Sequence, residues 1–376
     1  MMILTDEQRM LQDVVRPFMA EEGAIKPQLR HWRDSGCSDG FGTALWKQLA
    51  ELGLTGILIP ESAGGAGLGQ VEANLVLEEI GRNLTPSPFL TTAVAAVRAL
   101  DGSAQAARWY PGIVAGDTVA ALAVDEGKSH DPAATALEAK RQGNGFVLNG
   151  HKQFVVHGAS ADLLLVAART GGSAGETKGV TLFAVPRDTA GVEVENVALA
   201  DASKAARLTL ANVALDADAV VGEVDDGWAP LSRALGAGRA GAASELVGIA
   251  AGASEMTFDY LKQRKQFGRL IGEFQALQHR AAHLYGEIEI ARAAAHKAAL
   301  LIDAGDERAD LFTAVAKAKA GKAARLAVQE GVQMHGGIGM TDEHDIGLYM
   351  KRQAVLDELF GGPRFHAGEV ARLSGY

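Results

Sequence analysis

The chain has 376 residues, enough for two or three domains. Hydrophobic residues make up 48% and charged residues 22%, which supports an ample core, and the net charge of −10 argues against nucleic acid or an anionic membrane as the main partner. A single cysteine, Cys37, excludes a disulfide framework and any cysteine-rich metal centre.

In chain order, the first part reads as helical. "LTDEQRMLQDVVRPFMAEE" offers Thr5 or Asp6 as N-cap, followed by apolar residues at helical spacing. "GTALWKQLAELGL" predicts a second amphipathic helix closing at Gly53. The glycine-rich "PESAGGAGLGQ" is a loop before the helical "VEANLVLEEIGRNL", and "TPSPFLTTAVAAVRAL" begins a helix after two prolines. The N-terminus carries acids and no long apolar stretch, so no signal peptide is expected. No segment approaches the ~18 uncharged apolar residues of a membrane span, and the cytoplasm is the expected location.

Near residue 118 the texture changes. "TVAALAV", "GFVLNGHKQFVV", "ADLLLVAART", "GVTLFAVPR" and "VEVENVAL" are short β-rich runs, and Gly143-Asn144-Gly145 marks a hairpin. Long helices return at about 228–263, 274–304, 309–335 and 344–358. The expected organisation is an α+β multi-domain chain. It has an N-terminal all-α domain (1–117), a central β-barrel (118–225) and a C-terminal α-helical bundle (226–376).

Three motifs carry chemistry. "RKQFGRLIGEFQALQHR" sets Arg264, Phe267 and Gln275 around a glycine-punctuated break between helices, either a phosphate partner, a stacking surface and an amide suited to a nucleotide or a solvated turn between two helices. "QMHGGIGMT" brings Gly336 and Gly337, which let backbone approach phosphate oxygens closely. It is neither a P-loop nor a dinucleotide fingerprint, since no strand precedes it. His335, Glu343, His344 and Asp345 match no compact ligand spacing, so they read as surface polar residues around a helix start, and no metal is expected.

The order of these segments resembles the acyl-CoA dehydrogenase family over essentially the whole chain, from "PESAGGAGLG" through "GFVLNGHKQFVVHGASADLLLV" to "RKQFG…FQ" and "QMHGGIGMT". The resemblance implies the family's fold of helical domain, β-barrel and four-helix bundle, usually in a tetramer. It implies an FAD-dependent flavoprotein that introduces an α,β double bond into an acyl-CoA thioester. A carboxylate takes the α-proton, the β-hydrogen leaves as hydride to the flavin, and electrons pass to an electron-transferring flavoprotein. Carried over by position, Arg264, Phe267 and Gln275 bind the FAD pyrophosphate and adenosine across a subunit interface, and Gln333, Gly336 and Gly337 complete the cradle. In the β-domain, Phe154 lies against the flavin ring. Two departures weaken that part: the family's "TEPxAGSD" loop is "VDEGKSHD", and Val156 stands where a flavin-bonding hydroxyl is usual, with Ser129 the candidate replacement.

The catalytic base departs as well. The family's "Y-E-G-T" segment is matched by "LFGG", with Phe360 in place of the acid, and a second family location matches Gly238. Asp357 and Glu358, at a helix end, are expected to point elsewhere. Glu245 lies seven residues after Gly238, two helical turns, so both share a face. Its apolar surroundings disfavour the ionised form, which suits a proton-abstracting group, and Glu245 is the candidate base. The structural alternative is a carboxylate paired with Arg239 or a neighbouring helix. The pattern resembles the family's branch acting on bulky or branched acyl-CoAs such as steroid side chains, some of whose members are heterotetramers in which only one subunit type has a complete flavin site. Two alternatives follow: a non-catalytic or half-site partner subunit, and a flavin-dependent monooxygenase or oxidase on the same fold.

Overall fold

The computed structural model describes residues 4–376. In chain order the helices are α1 (Asp6–Glu21), α2 (His31–Asp34), α3 (Thr43–Glu51), α4 (Gln70–Asn83), α5 (Val97–Leu100), α6 (Ala106–Val114), α7 (Trp228–Gln263), α8 (Gln275–Asp303), α9 (Ala309–His335), α10 (Ile346–Glu358) and α11 (Pro363–Leu373). The strands are β1 (Ala120–Ala123), β2 (Glu138–Gln142), β3 (Gly145–Val156), β4 (Leu163–Arg169), β5 (Val180–Pro186), β6 (Val192–Ala198), β7 (Lys204–Leu215), β8 (Val220–Val221), β9 (Lys265–Gln266) and β10 (Arg269–Leu270). They form two units, one of Met1–His31, Gln70–Thr85 and Arg239–Tyr376, the other of Trp32–Gly69 and Pro86–Gly238.

The first unit is helical. Thr5 caps α1 in a capping box with Gln8, which settles the N-cap in favour of Thr5. The carboxylate of Asp303 accepts the N–H groups of Gln70 and Val71 at 2.7 and 3.0 Å, satisfying orphan donors at the start of α4. Small residues let α4 and α7 approach to backbone contact. A Cβ at Gly81 would collide with the carbonyl of Glu245, one at Gly248 with the carbonyl of Glu78, and one at Gly252 with the carbonyl of Arg82. α9 packs against α8, α10 and α11.

The second unit centres on an eight-stranded sheet in the order β6-β7-β3-β2-β4-β5-β8, with β1 pairing parallel to β4. β4 and β5 are near-continuously buried, apolar runs broken internally only by Thr181, whereas the edge strand β6 is half-buried or exposed throughout. The expected hairpin joins β2 to β3, with Gln142 opposite Gly145 and Gly143 at φ +59. The segment after the two prolines departs from expectation. Leu90–Ala96 is a fully buried π-helical stretch, continued by the single turn of α5. α6 and α11 were not foreseen. No helix among the described residues is long and apolar enough to cross a membrane.

Candidate active site

Glu245 sits in the Ala- and Gly-rich middle of α7 and is 2% exposed. Its main-chain carbonyl packs against Gly81, which fixes the rotation of α7 about its axis at this residue. The side chain meets Arg352 of α10, whose Nε and Nη2 donate to Oε1 at 2.9 and 2.6 Å. A neighbouring helix therefore compensates the buried charge, and the expectation of purely apolar surroundings is corrected. Both bonds fall on Oε1, and Oε2 takes neither. The partner is Arg352 rather than Arg239, whose Nε donates to the carbonyl of Phe360 at 3.2 Å and whose guanidinium lies over the Phe365 ring.

Around this pair lies a charged network that follows the end of α10. Asp357 is buried and receives Arg325 Nη2 at 2.8 Å and Gln353 Nε2 at 3.1 Å, in space left by the absent side chain of Gly321. Lys317 of α9 is fully buried, and its Nζ donates to the carbonyls of Leu356, Asp357 and Gly361 at 3.1, 2.9 and 3.4 Å. Burial lowers its ammonium to about 8, against the pull of Asp357, Glu358 and Glu245. Two cations thus grip the carbonyls of a turn in which Phe360 (φ +60) and Gly361 (φ +108) are both left-handed. Phe360 is buried there, and no acid occupies its place. Arg352 and Lys317 were missed in the sequence. Within "AVAKAKAGKAAR", Lys317 is indistinguishable from the lysines that face solvent.

At the far end of the same unit, β9 and β10 form a two-residue hairpin with Phe267 (φ +53) and Gly268 (φ +78) at its tip. Phe267 is 91% exposed. Below it Leu261, Ile271 and Met334 form a small core with Tyr260, Phe274 and Leu277. This core joins the ends of α7 and α9 to the start of α8, and so brings the segments of Arg264, Gln275 and Gln333 together. Gly336, at φ +65, and Gly337 have open space where a Cβ would stand. An exposed aromatic in a strained turn, exposed Arg264 and Gln275, and an open glycine backbone are the features that a flavin nucleotide's pyrophosphate and adenosine require. The residues present therefore fit the group.

His335 corrects an expectation. It is buried, not a surface polar residue, and its ring is packed between those of Tyr260 (4.5 Å, tilted 32°) and His344 (4.2 Å, tilted 48°). Its Nδ1 donates to the carbonyl of Gly331 at 2.7 Å. Burial depresses both imidazoles, with each other's charge a further cost for His335. Among the described residues, no group of three or more His, Cys, Asp or Glu is arranged to hold a metal.

In the second unit Phe154 is half-buried at φ +55, and Val156 is buried opposite Ala205 of β7. Ser129 is exposed on the loop after β1. That loop, although it departs from the family pattern, is tied down: Glu126 accepts Lys152 Nζ at 2.6 Å and His130 bonds Asp125 at 2.9 Å.

Three family models match, described as acyl-CoA dehydrogenase N-terminal domain over residues 5–117, middle domain over 120–213 and C-terminal domain over 225–372. The cyclohex-1-ene-1-carbonyl-CoA dehydrogenase of Syntrophus aciditrophicus is 32% identical, covering 96% of this chain and 87% of its own. Among solved structures, a variant of the steroid ACAD Tcur3481-Tcur3483 is 32% identical with a TM-score of 0.89, covering 98% of both chains. The ChsE4-ChsE5 complex from Mycobacterium tuberculosis gives 26% identity and a TM-score of 0.89, covering 100% of this chain and 99% of that one. The chain belongs to the acyl-CoA dehydrogenase family and is an oxidoreductase acting on acyl-CoA.

Proposed function

We propose that the chain is an FAD-dependent acyl-CoA dehydrogenase for a bulky or branched acyl group, with Glu245 as its base. The observation that carries this is a buried carboxylate with one oxygen anchored by Arg352 and the other uncommitted, in a chain with no acid at Phe360. Oε1 fixes the direction of the side chain, and Oε2 receives the α-proton as the α-carbon's bonding pair forms the double bond. Bound flavin supplies the acceptor for the hydride that leaves the β-carbon, and an electron-transferring flavoprotein takes the electrons onward. Arg264 and Gln275 bind the nucleotide's phosphates, with Phe267 covering its adenosine and Gln333, Gly336 and Gly337 lining the turn beside it. Phe154 and Val156 present an apolar face to the ring, and Ser129 offers the nearby hydroxyl. The bulky acyl class rests on relatives named for a cyclic acyl-CoA and for a steroid.

A second reading makes the chain one half of a two-component enzyme, in a heterotetramer rather than a homotetramer. It is supported by Val156, which offers no hydroxyl, and by a structural neighbour named as a complex of two chains. The test is the purified chain mixed with a panel of acyl-CoAs. A yellow protein that bleaches with a cyclic or branched substrate supports the first reading, and Glu245→Gln keeps the acceptor for Arg352 but slows bleaching by about 10²–10⁴. Undiminished bleaching by that variant excludes Glu245. A colourless chain that gains flavin only with a co-expressed homologue favours the second reading.

A further inference from the structure

Between Lys152 and Val155, β3 carries an extra residue: these face Leu208 and Ala206, two apart on β7. Phe154 in this bulge has φ +55, and His157 just beyond has φ +60. A bulky residue held left-handed costs about 1–3 kcal/mol and persists only where its surroundings over-determine it. On the C-terminal side, the His157 N–H donates to Lys204 O at 3.0 Å. Its ring packs edge-on to Phe41 and bonds Thr91 Oγ1 at 2.9 Å.

On the N-terminal side stands Lys152, whose side chain is fully buried. Its Nζ donates to the carbonyl of Val124 at 2.8 Å and to Glu126 Oε1 at 2.6 Å. The Glu126 carboxylate also accepts the N–H groups of Ala136 and Leu137 at 3.0 and 2.9 Å. Gln153 adds three bonds, from its N–H to Asp125 O at 2.8 Å and from its side-chain amide to Glu126 O at 2.6 Å and to Gly127 O. One ammonium therefore joins three segments immediately before the strained residue. Burial costs that ammonium, which is lowered to about 8 despite Glu126. Packing alone would be served better by an apolar side chain.

We propose that Lys152 is a positioning residue: through Val124 and Glu126 it holds the bulge that keeps Phe154 left-handed, and so sets the aromatic face presented to the flavin. This rests on the flavin reading above. The test uses the full chain with Lys152→Met, and with Glu126→Gln should the first variant fail to fold. Hydrogen exchange over residues 150–158, followed without added ligand, reads the clamp. The absorption spectrum and dissociation constant of FAD read the positioning. Exchange in this segment is expected to quicken about tenfold, FAD to bind about tenfold more weakly, and its visible bands to shift. Unchanged exchange overturns the clamp. Faster exchange with wild-type FAD spectrum and affinity leaves Lys152 a structural residue and overturns its role toward the cofactor. A wild-type chain that takes up no FAD refutes the flavin reading and this role with it, while the exchange result still decides the clamp.

Discussion

Gly81 and Gly368 are both helical glycines, and replacing each by alanine should move stability in opposite directions. At Gly81 the new Cβ would stand 2.9 Å from the carbonyl carbon of Glu245 and closer still to its oxygen. The oxygen, at 2.0 Å, is the tighter contact and must withdraw to roughly 3 Å, so α4 and α7 must separate by about 1 Å. Such a gap forfeits roughly half of the dispersion attraction across the crossing, where Leu77, Ile80, Leu246 and Ile249 are all buried. Because backbone is struck on both sides and no rotamer relieves it, the cost lies at the upper end of overpacking, about 3 kcal/mol. In a chain of 376 residues, at ~2.1 cal/mol/K of unfolding entropy per residue, that lowers Tm by about 4 °C. At Gly368, exposed on α11, nothing lies within 4 Å of the new Cβ. The backbone restraint there should add about 0.5–1 kcal/mol. Differential scanning fluorimetry on both variants makes the comparison. Gly81→Ala should also slow substrate bleaching at unchanged FAD occupancy, because Glu245 moves with α7. A Gly81→Ala protein as stable as Gly368→Ala would refute the close-contact argument.

The packed histidines His335 and His344 predict acid sensitivity. Because burial depresses His335 and His344 in the folded state, the unfolded chain takes up more protons below its ordinary value near 6.5. Their contribution is therefore fully present above that value and is lost as pH falls. Scans of Tm from about pH 7.5 to about pH 5 should show a decline that His335→Phe, which keeps the packing without titrating, makes shallower; an identical slope would remove the pair from the explanation. Arg264→Ala should retain the fold and lose FAD during gel filtration, with a dissociation constant raised about tenfold or more for a lost charge-assisted bond. Full retention would take Arg264 out of the cofactor site.

Much of the helical scaffold was legible because its ends are chemically marked. α7 and α9 begin and end as their periodicity and glycine punctuation predict, and Gly143-Asn144 marked the β2–β3 turn. α6 was missed because Pro111 falls inside it, and α11 because it is short and opens on Pro363 after two glycines. The π-helical stretch at Leu90–Ala96 is buried on all faces and so has no amphipathic signature to read. At the site, Glu245 stood out as a lone acid in an apolar run. Its partner Arg352 is 107 residues away, and only the packing of α10 reveals it. The left-handed Phe154 and Phe360 gave no sign, since neither is a glycine or asparagine.

The contact between Gly81 and the Glu245 carbonyl makes α7 a ruler with fixed graduations. A helix pinned by its backbone cannot roll to bring an acid gradually nearer to a larger substrate. An acid can change its depth only by whole turns, in steps of about 5.4 Å. Selection for longer or wider acyl groups would then proceed by discrete relocation along one face of α7.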